Sequence, residues 1–165
     1  MRLVQMLWRR LRQPWITVGV LGAVFDEAGR LLLVEHVFHP HCPWGLPGGW
    51  MNRNEDPADT IRRELAEETG LQVTVEQIVL IQRTPDVSAH LDVAILCRAL
   101  PGPITLSGEL LAYRWCDPTD TVILPKLVAF HRQVIGAALA LRAGRDQQPD
   151  VIAAHSMSDP EQQAG

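Results

Sequence analysis

The fold class that this chain of 165 residues predicts is α/β, a mixed sheet with helices on both of its faces. Three observations carry the expectation. Apolar runs such as "WITVGVLGAVF", "LLLVEHV" and "HLDVAILCRAL" have the length and β-branched content of strands. The turns between them read as hairpins rather than regular βαβ crossovers, while two other segments repeat apolar residues at helical spacing. The composition, 47% hydrophobic and 21% charged, suits an ordinary globular chain long enough to bury one full core.

Taken in order, residues 1–13 place Leu3, Leu7 and Leu11 on one helical face and carry Arg2, Arg9, Arg10 and Arg12 without an acid. This is a short basic amphipathic helix, closed by Pro14. It is expected to pack on the domain or on a second protomer, which leaves a homodimer open; the alternative is contact with an anionic membrane surface or RNA. Residues 15–25 and 31–37 read as two strands of a hairpin around the turn "DEAGR". "FHPHCPWGLPGG" is a loop, with a short strand expected around Trp50 and Met51.

A helix over residues 57–69 has clear punctuation. Asp56 is its N-cap, Pro57 stands at the first helical position, and Asp59 occupies the capping-box place. Gly70 suits the left-handed position that ends it, with Leu71 as the hydrophobic closure. "QVTVEQIVLIQR" follows as one strand or a bent pair, then a strand over 90–100, the loop "PGPITLSGE" and the strand "LLAYRWC". "LPKLVAFHRQVIGAALALRAG" reads as one long C-terminal helix. The chain thus divides into the helix 1–13, a domain over 14–143 and a polar tail over 144–165 that is expected to be disordered.

The helix 57–69 carries Glu64, Glu67 and Glu68 within five positions. With Ile61, Leu65 and Ala58 forming its core-facing stripe, the three glutamates fall on one contiguous arc that begins at the edge of that stripe. Glu64 and Glu68 are a like-charged i, i+4 pair, which costs a few tenths of a kcal/mol even on an exposed helix. Partial burial increases that cost. A divalent cation reverses it, since hard oxygen ligands on adjacent turns with positions left for water and phosphate are what Mg²⁺ prefers. The bland alternative is an acidic helix face partly neutralised by Arg62 and Arg63.

The spacing of these residues resembles a known family. Gly49, Glu55, Arg63, Glu64, Leu65, Glu67, Glu68, Gly70 and Leu71 fill every defined position of the Nudix hydrolase signature, G-x5-E-x7-R-E-U-x-E-E-x-G-U, where U is aliphatic. The resemblance implies a Nudix-type α/β/α sandwich with a mixed central sheet and a catalytic helix that follows a Gly-Gly loop. It also implies roles. Glu64, Glu67 and Glu68 resemble the metal ligands, with Gly48 lending backbone to the metal. Glu55 resembles the carboxylate that orients the cluster, and Arg63 the arginine that holds the helix against its loop. Gly48 and Gly49 would let the backbone approach metal and phosphates, which a side chain would block. Glu109, six residues before Trp115, fits a place where family members put a further ligand or general base.

The chemistry implied is divalent-metal-dependent hydrolysis of a pyrophosphate bond in a nucleoside diphosphate linked to another group, with Mg²⁺ as cofactor and Mn²⁺ as its substitute. Glu67, Glu68 and Glu109 are the candidates for the base that takes the water's proton. Gly49, Arg53, Arg83 and Trp44 are candidate substrate contacts; Trp50 and Phe38 also flank the site and are able to stack on a base. Pro85, fifteen residues after Gly70, resembles a feature of members that act on ADP-ribose or related sugar nucleotides. A nucleoside triphosphate pyrophosphohydrolase, a non-catalytic nucleotide-sensing module and an RNA 5′-end processing enzyme are the alternatives.

Several classes are disfavoured. A net charge of −4 does not suit stable nucleic-acid binding. No apolar run approaches the roughly 20 residues of a membrane span. Three irregularly spaced cysteines make no disulfide framework, and a cytoplasmic location is expected. "HPHC" (His39, His41, Cys42) lacks the partners of a zinc site and is read as a lid loop. His36 and His90 read as structural histidines.

Overall fold

The computed structural model describes residues 15–37, 42–83, 87–120 and 122–146. Its strands are β1 (Thr17–Phe25), β2 (Leu31–His36), β3 (Trp44–Gly45), β4 (Gly48–Trp50), β5 (Val73–Arg83), β6 (His90–Ala99) and β7 (Leu110–Cys116). The helices are α1 (Pro57–Thr69), a 3₁₀ turn (Leu124–Lys126) and α2 (Ala129–Asp146). All seven strands join one mixed sheet, with the path β3-β2-β1-β6-β5, β4 paired to β1 and β7 paired to β2. The β1–β6 pair is parallel over the whole of β1; the other pairs are antiparallel.

The unbroken apolar character of β1, β2 and β6 follows from this layering, because both faces of each strand are covered. Val20, Val24, Leu32, Val34, Val93 and Ile95 face α1, where Ile61 and Leu65 close one core. Alternate residues Ala23, Phe25, Leu31, Leu33, Ala94 and Leu96 face α2, where Val134, Ile135 and Ala138 close the other. The result is the α/β/α sandwich expected from the sequence.

Helix α1 has the expected bounds. Asp56 accepts hydrogen bonds from the Ala58 and Asp59 backbone N–H groups at 2.9 and 3.0 Å, and Gly70 ends the helix at φ 72°. The capping box is not reciprocal: the Asp59 carboxylate turns outward to Arg62 at 2.9 Å.

Other expectations need correction. The β1–β2 hairpin is paired only at Phe25 and Leu31, after which β1 turns to β4 and β6, and β2 to β3 and β7. The glycines at 48 and 49 belong to a strand rather than a loop, since Gly48 and Gly49 ladder with Leu21 and Val20. The segment 73–83, read as one strand or a bent pair, needs no correction: it is one strand, with bulges at Val75/Gln77 and Ile78/Leu80. The C-terminal helix starts at Ala129, because Leu127 is extended (φ −80°, ψ 153°) and separates it from the 3₁₀ turn. It runs to Asp146, past the domain boundary placed at residue 143. The helix 1–13, the tail beyond 146, Pro85, Phe38, His39 and His41 lie outside the described residues. Among the described residues no helix is long and apolar enough to cross a membrane.

Candidate active site

The site is built around Arg63. Placed on the second turn of α1, its guanidinium forks onto Glu55, with Nε to Oε1 at 2.8 Å and Nη2 to Oε2 at 3.0 Å. Nη2 also donates to the Trp50 carbonyl at 3.0 Å, while Nη1 donates to Glu64 at 2.8 Å and Glu67 at 3.1 Å. One side chain therefore ties the helix, the turn before it and strand β4 together. Glu55 also accepts the Asn52 backbone N–H at 2.9 Å. Arg63 first, and this N–H second, hold its carboxyl down at about 2. Arg63 is itself pushed up, chiefly by Glu55.

The glutamates of α1 differ in environment according to their place on its circumference. Glu68 is only 6% exposed, and its Oε2 accepts the Gly48 N–H at 3.2 Å. Burial, reinforced by Glu64, Glu109 and Glu67, pushes its carboxyl up to about 7 against that hydrogen bond. Glu64 is pushed up as well, mainly by burial, with Arg63 opposing. Glu67 projects into solvent at the mouth.

Two glycines make this packing feasible. A Cβ on Gly49 would fall 2.3–2.5 Å from the Glu64 carboxylate, so the strand lies directly against it. Gly48 has φ 151°, and a Cβ there would meet the Val20 carbonyl oxygen at 2.1 Å.

Glu109 arrives from elsewhere in the chain. The loop before β7 lies across the end of α1, where the Thr105 N–H binds the Thr69 carbonyl at 2.8 Å and the Ser107 N–H binds the Glu68 carbonyl at 2.9 Å. These bonds satisfy helix C-terminal carbonyls that would otherwise lack partners. They also deliver Glu109, whose own N–H is held by Ser107 Oγ at 3.3 Å. The cleft so formed has a volume of ≈ 690 Å³ and is lined by Gly48, Gly49, Trp50, Arg63, Glu109 and the three α1 glutamates, with His36, Asn52, Ser107 and Gly108 completing it.

Other sequence candidates go elsewhere. Trp44 packs on the α2-side core with Arg114 over its ring at 5.5 Å. Arg53 lies over Trp15 at 5.7 Å, and Arg83 is exposed at the end of β5; neither lines the cleft. His36, read from sequence as structural, does line it. His90 is buried and bonded to Thr17 and Asp92. Asn52, Ser107 and Gly108 were missed, although the last two flank Glu109 and a loop assigned to the site would have included them.

The donor set fits a hard divalent cation by its chemistry: four carboxylates share the cleft with one arginine, and one of them is buried at a cost that a cation would relieve. Among the described residues no three His, Cys, Asp or Glu side chains converge at ligating distance; Glu64 and Glu67 are both hydrogen-bonded to Arg63.

Fold and site together define a class, the α/β/α sandwiches that present a helix-borne glutamate cluster beside a glycine pair. A family model described as NUDIX domain matches residues 15–137, and the chain belongs to that family. Human "Nucleoside diphosphate-linked moiety X motif 6" is 36% identical over 110 residues, which are 62% of this chain and 35% of the relative. The chain thus spans about a third of that relative's length. A "MutT-like protein" of Streptomyces ambofaciens is 32% identical over 109 residues, 65% of this chain and 68% of that one. Among solved structures, an ADP-ribose pyrophosphatase from Streptococcus suis superposes with a TM-score of 0.61 at 28% identity, covering 81% of this chain and 96% of its own.

Proposed function

We propose that the protein hydrolyses a pyrophosphate bond in a nucleoside diphosphate linked to another group, in a reaction that depends on a divalent cation, Mg²⁺ with Mn²⁺ as substitute. The observation that carries this reading is the gathering of Glu64, Glu67, Glu68 and Glu109 on one cleft, with Glu68 buried there. Such a cluster is unfavourable by itself, and a bound cation would relieve its cost.

The chemistry that a divalent cation would supply here is neutralisation of phosphate charge and a more acidic attacking water. The chain supplies the rest. Glu64, Glu67 and Glu68 would hold the cation. Gly49, lacking a side chain, keeps Glu64 against the strand backbone, while Arg63 fixes the helix and the turn relative to each other. The water oxygen bonds to phosphorus, the bridging P–O bond breaks, and the water's proton passes to a cleft carboxylate. Glu109 and Glu67 stand at the exposed mouth, which suits them to exchange that proton with solvent.

ADP-ribose or a related sugar nucleotide is the substrate reading supported by the 28% identity to the Streptococcus suis pyrophosphatase over most of the domain. Nucleoside triphosphates are the alternative substrate class, and nucleotide sensing without turnover is the alternative function. The test is a panel of ADP-ribose, sugar nucleotides, dinucleoside polyphosphates and nucleoside triphosphates assayed with Mg²⁺ and with EDTA. Metal-dependent release of nucleoside monophosphate from ADP-ribose or a sugar nucleotide is the expected result; no metal-dependent turnover of any member would overturn the enzyme reading.

A further inference from the structure

Strand β4 sends alternate side chains to opposite faces of the sheet. The side of Gly49 faces Glu64, so the Trp50 side chain projects from the other face of β4; the residue is 59% exposed and is among those that border the cleft. A lone exposed tryptophan is commonplace. This one has a constructed support.

The Trp50 ring rests against His90 with centroids 4.8 Å apart and planes tilted by 55°. His90 is only 8% exposed, and both ring nitrogens are engaged, Nδ1 with Thr17 Oγ1 at 2.8 Å and Nε2 with Asp92 Oδ1 at 3.2 Å. These two bonds set the orientation of the imidazole. The support crosses three strands, and β1 makes room for it. Gly19 pairs with Trp50 on one side and Asp92 on the other. A Cβ at Gly19 would lie 2.9 Å from Asp92 Oδ1 and 3.0 Å from His90 Nε2, so a side chain there would push the support away. The Trp50 backbone is fixed as well, because its carbonyl accepts from Arg63, the residue that organises the glutamates. A flat, preoriented aromatic surface thus stands one residue from the glycine that abuts the acidic cluster.

We propose that Trp50 is the platform on which the nucleobase of the substrate stacks, and that His90, held by Thr17 and Asp92, is the positioning residue beneath it. The assignment rests on the reading of the acidic cluster as the site of the diphosphate and names the group recognised beside it. Aromatic–base stacking is tolerant of base identity because every base has a π-face. It therefore selects nucleotides over base-free phosphosugars.

The experiment compares the binding of AMP and of ribose 5-phosphate by calorimetry in the presence of Mg²⁺, for the wild type, Trp50→Phe and Trp50→Leu. Trp50 is exposed, so both variants are expected to fold, which circular dichroism checks. The wild type should bind AMP about 5–150-fold more tightly than ribose 5-phosphate, the range that corresponds to stacking of about 1–3 kcal/mol. That ratio should shrink in Trp50→Phe and fall close to one in Trp50→Leu. Replacing His90 by Leu should lower the ratio without removing it, because the ring stays but loses its orientation. A wild-type ratio near one, or an unchanged ratio in Trp50→Leu, overturns the proposal. The pyrophosphohydrolase reading stands or falls separately, on metal-dependent turnover by the wild type.

Discussion

Arg63 grips Glu55 through two parallel hydrogen bonds of 2.8 and 3.0 Å, and the same guanidinium reaches Trp50, Glu64 and Glu67. A planar fork suits that, since a lysine offers a point charge and cannot make five hydrogen bonds to four residues. Arg63→Lys should therefore keep the fold but lower kcat/KM by about tenfold to a hundredfold, a loss of about 1–3 kcal/mol of transition-state stabilisation. Steady-state kinetics would check it; activity within twofold of wild type would refute the organising role.

Glu55 makes the acid limb of stability predictable. Its folded pKa, about 2, lies below the ordinary value of 4.5, so its contribution is present above pH 4.5 and is lost as pH falls toward 2. Glu55→Gln should flatten the decline of Tm in that window, followed by circular dichroism between pH 2 and 5. An unchanged profile would mean that the Arg63 pair does not couple to folding.

Glu68 works in the opposite direction. Its carboxyl is pushed up to about 7, so the metal-free protein is favoured below about pH 4.5 and loses that stability as pH rises through 7. In EDTA, Glu68→Gln should be more stable than wild type at pH 8, by about 1–3 kcal/mol once screening at the open cleft is allowed for, and equal to it near pH 4. Denaturant melts at the two pH values decide this. The same variant should lose most metal-dependent turnover, and a less stable variant at pH 8 would contradict the burial argument.

Cation binding should reverse the Glu68 effect. Adding Mg²⁺ or Mn²⁺ should raise the wild-type Tm more at pH 8 than at pH 5, because at pH 5 the ligands must first release protons. Thermal shift titrations would show equal shifts at both pH values if the carboxylates were not the ligands.

Gly49 tests the geometry independently of charge. A Cβ 2.3–2.5 Å from the Glu64 carboxylate has to displace either the side chain or the strand. Gly49→Ala should reduce metal-dependent activity by more than about tenfold. Because the fault acts through Glu64, the double variant with Glu64→Ala should be no worse than Glu64→Ala alone. Additive losses would place the damage elsewhere.

What was legible in the sequence was mostly local. The bounds of α1, its cap and the shared arc of Glu64, Glu67 and Glu68 all depend on residues within a few positions of one another. The strands of the central sheet were legible as apolar runs, because covering both faces of a strand leaves that mark on its composition. The capping box gave way to a competing local pair: Asp59 has Arg62 three residues on, on its own face, and turns to it.

The rest was decided by pairing at long range. Trp44 and Trp50 look alike as aromatics near a glycine pair, yet β3 joins β2 and carries Trp44 onto the α2-side core, while β4 joins β1 and sets Trp50 in the cleft. Arg53, in the turn after β4, and Arg83, at the end of β5, were plausible phosphate contacts, yet neither lines the cleft. Glu109 shares the cleft with Glu68 from far along the chain, on a loop whose N–H groups satisfy the open carbonyls at the end of α1. The sequence by itself determined helix α1 and its acidic arc, since helical spacing is settled over three or four residues. Tertiary structure alone decided which loops and aromatic rings share the cleft with that arc, since strand partners are chosen by burial summed over the whole domain.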